Sequence, residues 1–153
     1  GDLSVQRLIF AYQLGIFPWY NEGEPILWWS PAPRFVLYPS AIKVSKSMRR
    51  ILRAGTFEVR YDTAFETVIE HCATVPRLGQ SGTWLIPSMQ EAYQTLHRLK
   101  VAHSVEAWKD GVLVGGLYGI ALGRVFYGES MFAQVSNASK VALIHLAHQL
   151  QQR

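Results

Sequence analysis

The sequence contains a single cysteine, Cys72, among 153 residues. An intramolecular disulfide is therefore excluded, and so is a metal cluster built on thiolates. One cysteine is compatible with a reducing compartment. Long apolar runs are also missing. The uncharged stretches Leu8 to Asn21 and Gly111 to Gly123 are too short for a membrane span, and both are broken by Gly or Pro. The opening residues Gly1-Asp2-Leu3-Ser4 carry no basic-then-apolar leader. A soluble, cytoplasmic protein is expected, with no membrane partner. Charge is sparse at 17%, whereas 49% of residues are hydrophobic, a globular rather than a disordered composition. The length suits one domain, or one domain with a small appendage. Internal repeats and low-complexity tracts are absent.

Two further absences bear on chemistry. His145 and His148 have i, i+3 spacing, but no third ligand accompanies them, so no metal site is expected. Ser130 lies outside any Gly-x-Ser-x-Gly elbow, which removes support for a serine hydrolase. The net charge of +4, from 15 basic and 11 acidic residues, identifies no partner by itself. Its distribution says more. No acidic residue interrupts positions 34–57.

Ser4 or Asp2 can cap a first helix that runs to about Leu14, with Gly15 ending it. Three of the five tryptophans and four of the seven prolines then fall between residues 18 and 33. Such a segment is rigid and irregular, because proline fixes φ and disfavours helix. Phe35-Val36-Leu37-Tyr38 reads as a short strand. Residues 44–54 read as a helix with Val44, Met48, Ile51 and Leu52 on its apolar side and Lys46, Arg49, Arg50 and Arg53 on another face. Phe57, Val59 and Tyr61 alternate as a strand. Thr63-Ala64-Phe65-Glu66 and Ser88-Met89-Gln90-Glu91 resemble capping boxes opening helices to about Cys72 and Leu99. The last third switches to strands at 102–108, 112–119 and 124–132, with turns at Lys109-Asp110-Gly111 and Gly123. A largely buried helix from Asn137 carries Val141, Leu143, Ile144, Ala147 and Leu150. The fold class is α+β. The chain stops directly after that helix, with no strand to cover an open sheet edge, so a truncated chain is expected.

The four basic residues of helix 44–54, with Lys43 and Arg34 nearby, suit a run of phosphates. A solvated helix face is the alternative, but like charges on one face repel, which favours a phosphate partner. Glu129 lies at a strand end between aromatic and apolar neighbours, where an unpaired carboxylate is costly to bury. A functional carboxylate is favoured there over a surface glutamate or an internal ion pair.

Seven blocks occur in a fixed order. They are Gly15-Ile16-Phe17-Pro18-Trp19, Pro25-Ile26-Leu27-Trp28-Trp29-Ser30-Pro31, Gly82-Thr83-Trp84, His103-Ser104-Val105-Glu106, Val114-Gly115-Gly116-Leu117-Tyr118-Gly119, Gly128-Glu129-Ser130-Met131-Phe132 and Asn137-Ala138-Ser139-Lys140. Together they resemble the leucyl/phenylalanyl-tRNA–protein transferase family over essentially the whole chain. The resemblance implies a GNAT-like acyltransferase domain over 36–153, lacking its C-terminal strands, preceded by a partial N-terminal domain over 1–35. It implies transfer of Leu, Phe or sometimes Met from aminoacyl-tRNA to proteins beginning with Arg or Lys, creating an N-degron. It implies no metal or coenzyme, and a monomer is expected. Family members carry a short segment before the position of Gly1. They also continue past Arg153 through strands that supply an Asp and a Gln close to the reaction centre.

On this resemblance Trp19, Trp84, Tyr93, Phe126 and Glu129 belong to the aminoacyl-adenosine site. Trp19 would meet the terminal adenosine of the tRNA, since stacking on an aromatic face holds an unpaired base. Leu117, Phe126 and Leu143 would form the pocket for the transferred side chain. An apolar pocket accepts Leu, Phe and Met together, because one methylene discriminates by only ~1–3 kcal/mol. Glu129 would attract the cationic residue of the acceptor. Read without the resemblance, Trp19 packs under the Pro-rich loop, Trp84 anchors a loop, Tyr93 joins Leu96 in a helix core, and the three pocket residues are ordinary core. Lys43, Lys46, Arg49, Arg50, Arg53 and Arg34 would meet the acceptor stem. Two rivals stand beside this reading. An acyl-CoA-dependent acetyltransferase would need a glycine-containing turn on pyrophosphate, yet Phe132 to Ser139 has no glycine. A non-catalytic RNA-binding module would use only the basic helix and the aromatic loop.

Overall fold

Four antiparallel strands, adjacent in space in the order in which they follow along the chain, form the central sheet. The computed structural model describes residues 1–76, 78–79 and 85–153. In chain order the elements begin with α1 (Val5–Gln13), β1 (Phe17–Pro18) and β2 (Trp28–Trp29). A 3₁₀ turn over Pro39–Ala41 leads to α2 (Lys46–Ala54), β3 (Glu58–Tyr61), α3 (Phe65–Thr74) and α4 (Pro87–Arg98). Then follow β4 (Ala102–Lys109), β5 (Val112–Leu122), β6 (Val125–Ala133) and α5 (Ala138–Gln151). The arrangement is α+β. Among the described residues, no helix is long and apolar enough to cross a membrane.

The two hairpins turn where the backbone is allowed to. Asp110 and Gly111 both take positive φ between β4 and β5, and Gly123 does so between β5 and β6. The second strand is longer than its sequence pattern predicts, pairing as far as Leu122 with Val125. Side chains alternate across the sheet. Tyr118, Ile120 and Phe132 join a core with Leu8 and Tyr12 of α1, Val68 and Ile69 of α3, and Met89, Tyr93 and Leu96 of α4. Val105 and Leu117 face the other way, against Ala142 and Leu146 of α5. Each large apolar side chain buried in this way contributes ~1.5–3 kcal/mol. Helix α2 buries Met48, Ile51 and Leu52, the side its periodicity predicts, against Val141 and Ile144 of α5.

Glycines of β5 set the layer spacing. A Cβ on Gly115 would overlap the Cβ of Ala138, at the first turn of α5. One on Gly116 would come within 2.9 Å of the Val105 carbonyl and 3.3 Å of the Phe132 ring. The Val114-to-Gly119 motif thus lets α5 and the Phe132 ring close on the two faces of one strand.

Several local expectations are corrected. Phe35 to Tyr38 is not a strand. No strand among the described residues pairs with it, and an extended segment without a ladder partner leaves its side chains in solvent, Phe35 91% exposed. Neither capping box forms. Ser88 directs its hydroxyl to Tyr20 at 3.0 Å, although α4 does open with Pro87 in its first turn, as a proline at that place predicts. Thr63 turns away from its own helix to donate to Glu106. Helix α2 does have a local cap, Ser45 Oγ accepting from the Met48 amide at 3.2 Å, and it closes on Gly55 in the left-handed region.

Glu106 takes the place of the cap on α3. It lies fully buried in the middle of β4. It accepts from the Thr63 and Ala64 amides at 3.1 Å each and from the Ser104 hydroxyl at 2.6 Å. A carboxylate at a helix N-terminus satisfies orphan amides and matches the helix dipole. Glu106→Ala leaves these donors buried without an acceptor. It is expected to lower stability by about 3 kcal/mol, measured by urea denaturation. A loss below about 1 kcal/mol would show instead that water reaches the α3 N-terminus.

Candidate active site

The site forms where β6 departs from regular pairing. Gly119 pairs with Gly128 and Tyr118 with Ser130, so Glu129 is an extra residue on β6. Such a bulge bends a strand and re-aims a side chain. It also explains why Tyr127 and Phe132, at an odd spacing, both pack into the core beneath α1, α3 and α4. Gly119 is a requirement of this geometry, because a Cβ there would overlap the Tyr127 carbonyl and the Phe126 ring.

A cavity of about 490 Å³ opens beside the bulge, lined by Leu117 of β5, Phe126, Glu129 and Met131 of β6, and Leu143 and Leu146 of α5. Its walls are mostly apolar, and Ser130 and Ser139 add hydroxyls at the margin. The volume falls in the range of small-molecule sites. Four residues expected at the site from sequence, Leu117, Phe126, Leu143 and Glu129, therefore share one cavity. Met131 and Leu146 were not anticipated. Leu146 follows Leu143 at i+3 on α5, a spacing that could have revealed it.

Glu129 is half-buried, with its carboxyl end enclosed by protein. Oε1 accepts from the Tyr12 hydroxyl at 2.7 Å, and Oε2 lies 3.4 Å from the Tyr93 hydroxyl. Desolvation dominates and raises its pKa from 4.5 to about 7, although both tyrosine hydrogen bonds and the charge of Arg34 pull the other way. The two tyrosines are pushed well above 10, first by burial and next by the charge of Glu129, so both stay protonated.

Tyr93 does not line the cavity. It is fully buried behind the carboxylate, with its hydroxyl 2.7 Å from that of Tyr12. Tyr12 escapes a sequence reading because, on the apolar side of α1, it looks like ordinary core. Trp19 lies outside the cavity lining as well, 45% exposed on the β1–β2 ribbon. Its ring is tilted against Trp29 at 5.9 Å, and its carbonyl accepts from the Trp29 indole at 2.8 Å. Trp84, with the Gly82-Thr83-Trp84 block, lies outside the described residues.

The basic residues divide between two places. Lys43, Lys46, Arg49, Arg50 and Arg53 are exposed on and just before α2, and among the described residues none makes an ion pair. Arg49 donates to the Val44 carbonyl at 3.2 Å. The guanidinium of Arg34, before α2 in the chain, lies 4.9 Å over the Phe17 ring, and its charge reaches Glu129. Among the described residues, no group of three or more His, Cys, Asp or Glu is placed to hold a metal ion.

Comparison with known proteins adds a family. The family described as leucyl/phenylalanyl-tRNA protein transferase matches residues 36–153, and its N-terminal domain matches residues 1–32. Among curated relatives, a leucyl/phenylalanyl-tRNA–protein transferase of Syntrophobacter fumaroxidans is 61% identical over 146 residues, covering 95% of this chain and 62% of the relative. One of Azoarcus sp. is 60% identical over 153 residues, covering 100% of this chain and 65% of the relative. One of Myxococcus xanthus is 58% identical over 151 residues, covering 99% and 64%. The chain thus spans just under two thirds of the length of these relatives.

The raised pKa of Glu129 has a stability consequence. Unfolding lets the carboxyl ionise near 4.5, whereas the folded state holds its proton to about 7. The folded state therefore binds the extra proton, and stability falls as pH rises through this window. Between pH 5 and pH 8 this group is expected to remove about 2–3 kcal/mol. Glu129→Gln should abolish that part of the slope, as measured by denaturation at successive pH values. An unchanged slope would place the carboxylate in water.

Proposed function

The chain belongs to the leucyl/phenylalanyl-tRNA–protein transferase family, and from that membership we propose that its protein moves leucine, phenylalanine or methionine from aminoacyl-tRNA to a protein beginning with Arg or Lys. The product is an N-degron, made in the cytoplasm by a monomeric enzyme. Residues 36–153 form the GNAT-like acyltransferase part, and residues 1–35 part of an N-terminal domain. The observation that carries this reading is the cavity itself, where Leu117, Phe126 and Leu143 supply apolar walls and Glu129 supplies one carboxylate.

Each part of that cavity suits one part of the substrates. The apolar walls take the side chain of the transferred amino acid. Their shape tolerance accounts for accepting Leu, Phe and Met, since a methylene more or less costs only ~1–3 kcal/mol. Glu129 takes the guanidinium or ammonium of the acceptor through charge-assisted hydrogen bonds. With a pKa of about 7 the carboxyl is poised near neutrality, and a cation beside it stabilises the ionised form. Acceptor binding thus releases a proton from Glu129.

The reaction is aminolysis of an ester. The acceptor's α-amine, with a pKa of ~7.7–8.0, is already partly neutral near pH 7. It attacks the aminoacyl carbonyl, a C–N bond forms, and the bond to the ribose 3′ oxygen of the tRNA breaks. The proton lost by the amine leaves with that oxygen. Holding both substrates in attack geometry supplies much of the rate. Trp19 and Trp84 are proposed to meet the aminoacyl-adenosine end, with the fully buried Tyr93 supporting Glu129 behind that site, and the exposed Lys43, Lys46, Arg49, Arg50 and Arg53 the acceptor-stem phosphates. Arg34 is proposed to join them in meeting the tRNA backbone, from its place over the Phe17 ring.

Two measurements test this. The first uses the chain alone, and the chain joined to the C-terminal third of a full-length relative. Each is incubated with labelled Phe-tRNA and a protein beginning with Arg, beside one beginning with Ala. Label on the Arg protein alone is expected, at least from the joined form. Transfer from an acyl-CoA, or equal labelling of both proteins, would overturn the proposal. The second follows tRNA affinity against salt. Replacing Arg49 and Arg50 with Ala should weaken binding and reduce the slope of log K against log salt by roughly 0.7–0.9 for each phosphate no longer neutralised. An unaltered slope would make α2 a solvated face.

A further inference from the structure

Tyr12 lies in the last turn of α1, inside the segment matched by the family's N-terminal domain. It is 1% exposed and packs its ring 5.3 Å from that of Tyr127. Its hydroxyl reaches Glu129, 117 residues later in the chain. Three oxygen–oxygen contacts join Tyr93, Tyr12 and the carboxylate, at 2.7, 2.7 and 3.4 Å. Each phenol owns one proton, so two protons must serve three contacts when Glu129 is ionised. The two short contacts take them. Tyr93 donates to Tyr12, and Tyr12 donates to Oε1. The 3.4 Å hydrogen bond from Tyr93 to Oε2 then has only a weak share of the proton that Tyr93 gives to Tyr12, and Oε2 keeps most of its acceptor capacity.

We propose that Tyr12 is a positioning residue for the transfer reaction, in which its hydroxyl, backed by Tyr93, holds one oxygen of Glu129 so that the other receives the cationic residue of the acceptor. This rests on the transferase reading above. Among the described residues, the groups that face Glu129 are Tyr12 from α1, Tyr93 from α4 and Arg34 from the segment after β2, with Tyr118 of β5 packed beside the Tyr93 ring at 5.6 Å. Tyr12 alone among them makes a short hydrogen bond to the carboxylate. The N-terminal segment is on this account part of the active site, because without α1 the carboxylate loses its strongest donor. The order of the relay also ranks the two tyrosines. Removing the Tyr12 hydroxyl acts on the carboxylate directly. Removing that of Tyr93 acts through Tyr12.

The test compares Tyr12→Phe and Tyr93→Phe with the parent, in the chain for spectroscopy and in the form joined to a relative's C-terminal third for kinetics. Carbon-13 NMR of the Glu129 carboxyl follows its titration. The KM for an Arg-initiated protein is measured at pH 7 and pH 8.5. Tyr12→Phe should raise the Glu129 midpoint, and more than Tyr93→Phe does. KM relative to the parent should rise about tenfold at pH 7 and recover at pH 8.5, where the carboxyl ionises without help, while kcat changes much less. In a Glu129→Gln background Tyr12→Phe should add nothing to the KM. An unshifted midpoint, a KM defect equal at both pH values, or the same defect in the Glu129→Gln background overturns the proposal. So does a lowered Tm with midpoint and KM as in the parent. If the parent itself transfers nothing, the transferase reading falls, and the NMR titration still decides whether Tyr12 holds the carboxylate.

Discussion

A carboxylate kept from water beside apolar walls is the constraint around which the structure is arranged. Glu129 cannot stay ionised in such a place without donors. Its donors come from α1 and α4, far from it in sequence, so both helices must be docked before the site exists. The bulge on β6 is what delivers the carboxyl to them. The bulge in turn needs Gly119, because the Phe126 ring and the Tyr127 carbonyl occupy the space a side chain would take. A change at Gly119 would therefore act on Glu129 without touching it.

The same strand builds the other wall of the cavity. Gly115 and Gly116 let α5 and the Phe132 ring approach β5 closely, and Leu117 follows directly between them and Tyr118. Leu117 turns toward α5, where Leu143 and Leu146 complete the apolar lining, and Tyr118 turns toward Tyr93. One short stretch of strand thus contributes to the pocket on one face and to the support of the carboxylate's tyrosines on the other. The period-two alternation of a strand makes this double use possible.

The legible parts of the fold were those encoded by neighbours in sequence. Asp110-Gly111 and Gly123 marked their turns because positive φ selects residue type. The apolar period of 44–54 marked α2 and the side it buries, though not α5 as its partner, and that of 137–151 marked a helix buried on several sides. What failed depended on distant partners. Thr63 looked like a cap because its hydroxyl can reach its own helix, yet Glu106 on β4 offered a better acceptor. Ser88 was drawn to Tyr20 for the same reason. Phe35 to Tyr38 has strand composition, but a strand also needs a neighbour. At the site, Leu117, Phe126 and Leu143 are reached only through resemblance, since their composition reads equally well as core, whereas Glu129 also stands out as a carboxylate between aromatic and apolar neighbours. Tyr12 and the bulge carried no local signal. A tyrosine on an apolar helix face does not announce where its hydroxyl points, and one extra residue in a strand leaves the composition unchanged.

The sheet holds two glutamates withdrawn from solvent, and their donors distinguish them. Glu106 has the Thr63 and Ala64 amides and the Thr63 and Ser104 hydroxyls directed at its two oxygens. A carboxylate so occupied has little acceptor capacity left, and it stands at the N-terminus of a helix that it caps. It belongs to the fold. Glu129 has one short donor and one long contact, and it lies on the wall of a cavity. Its unmet capacity is available only to something that enters that cavity. A cation does what a neutral ligand cannot, because it compensates the desolvation that holds the carboxyl near neutral pH. The difference between the two residues is thus the number of hydrogen bonds left unmade, and in the proposed function those of Glu129 receive the cationic residue of the acceptor.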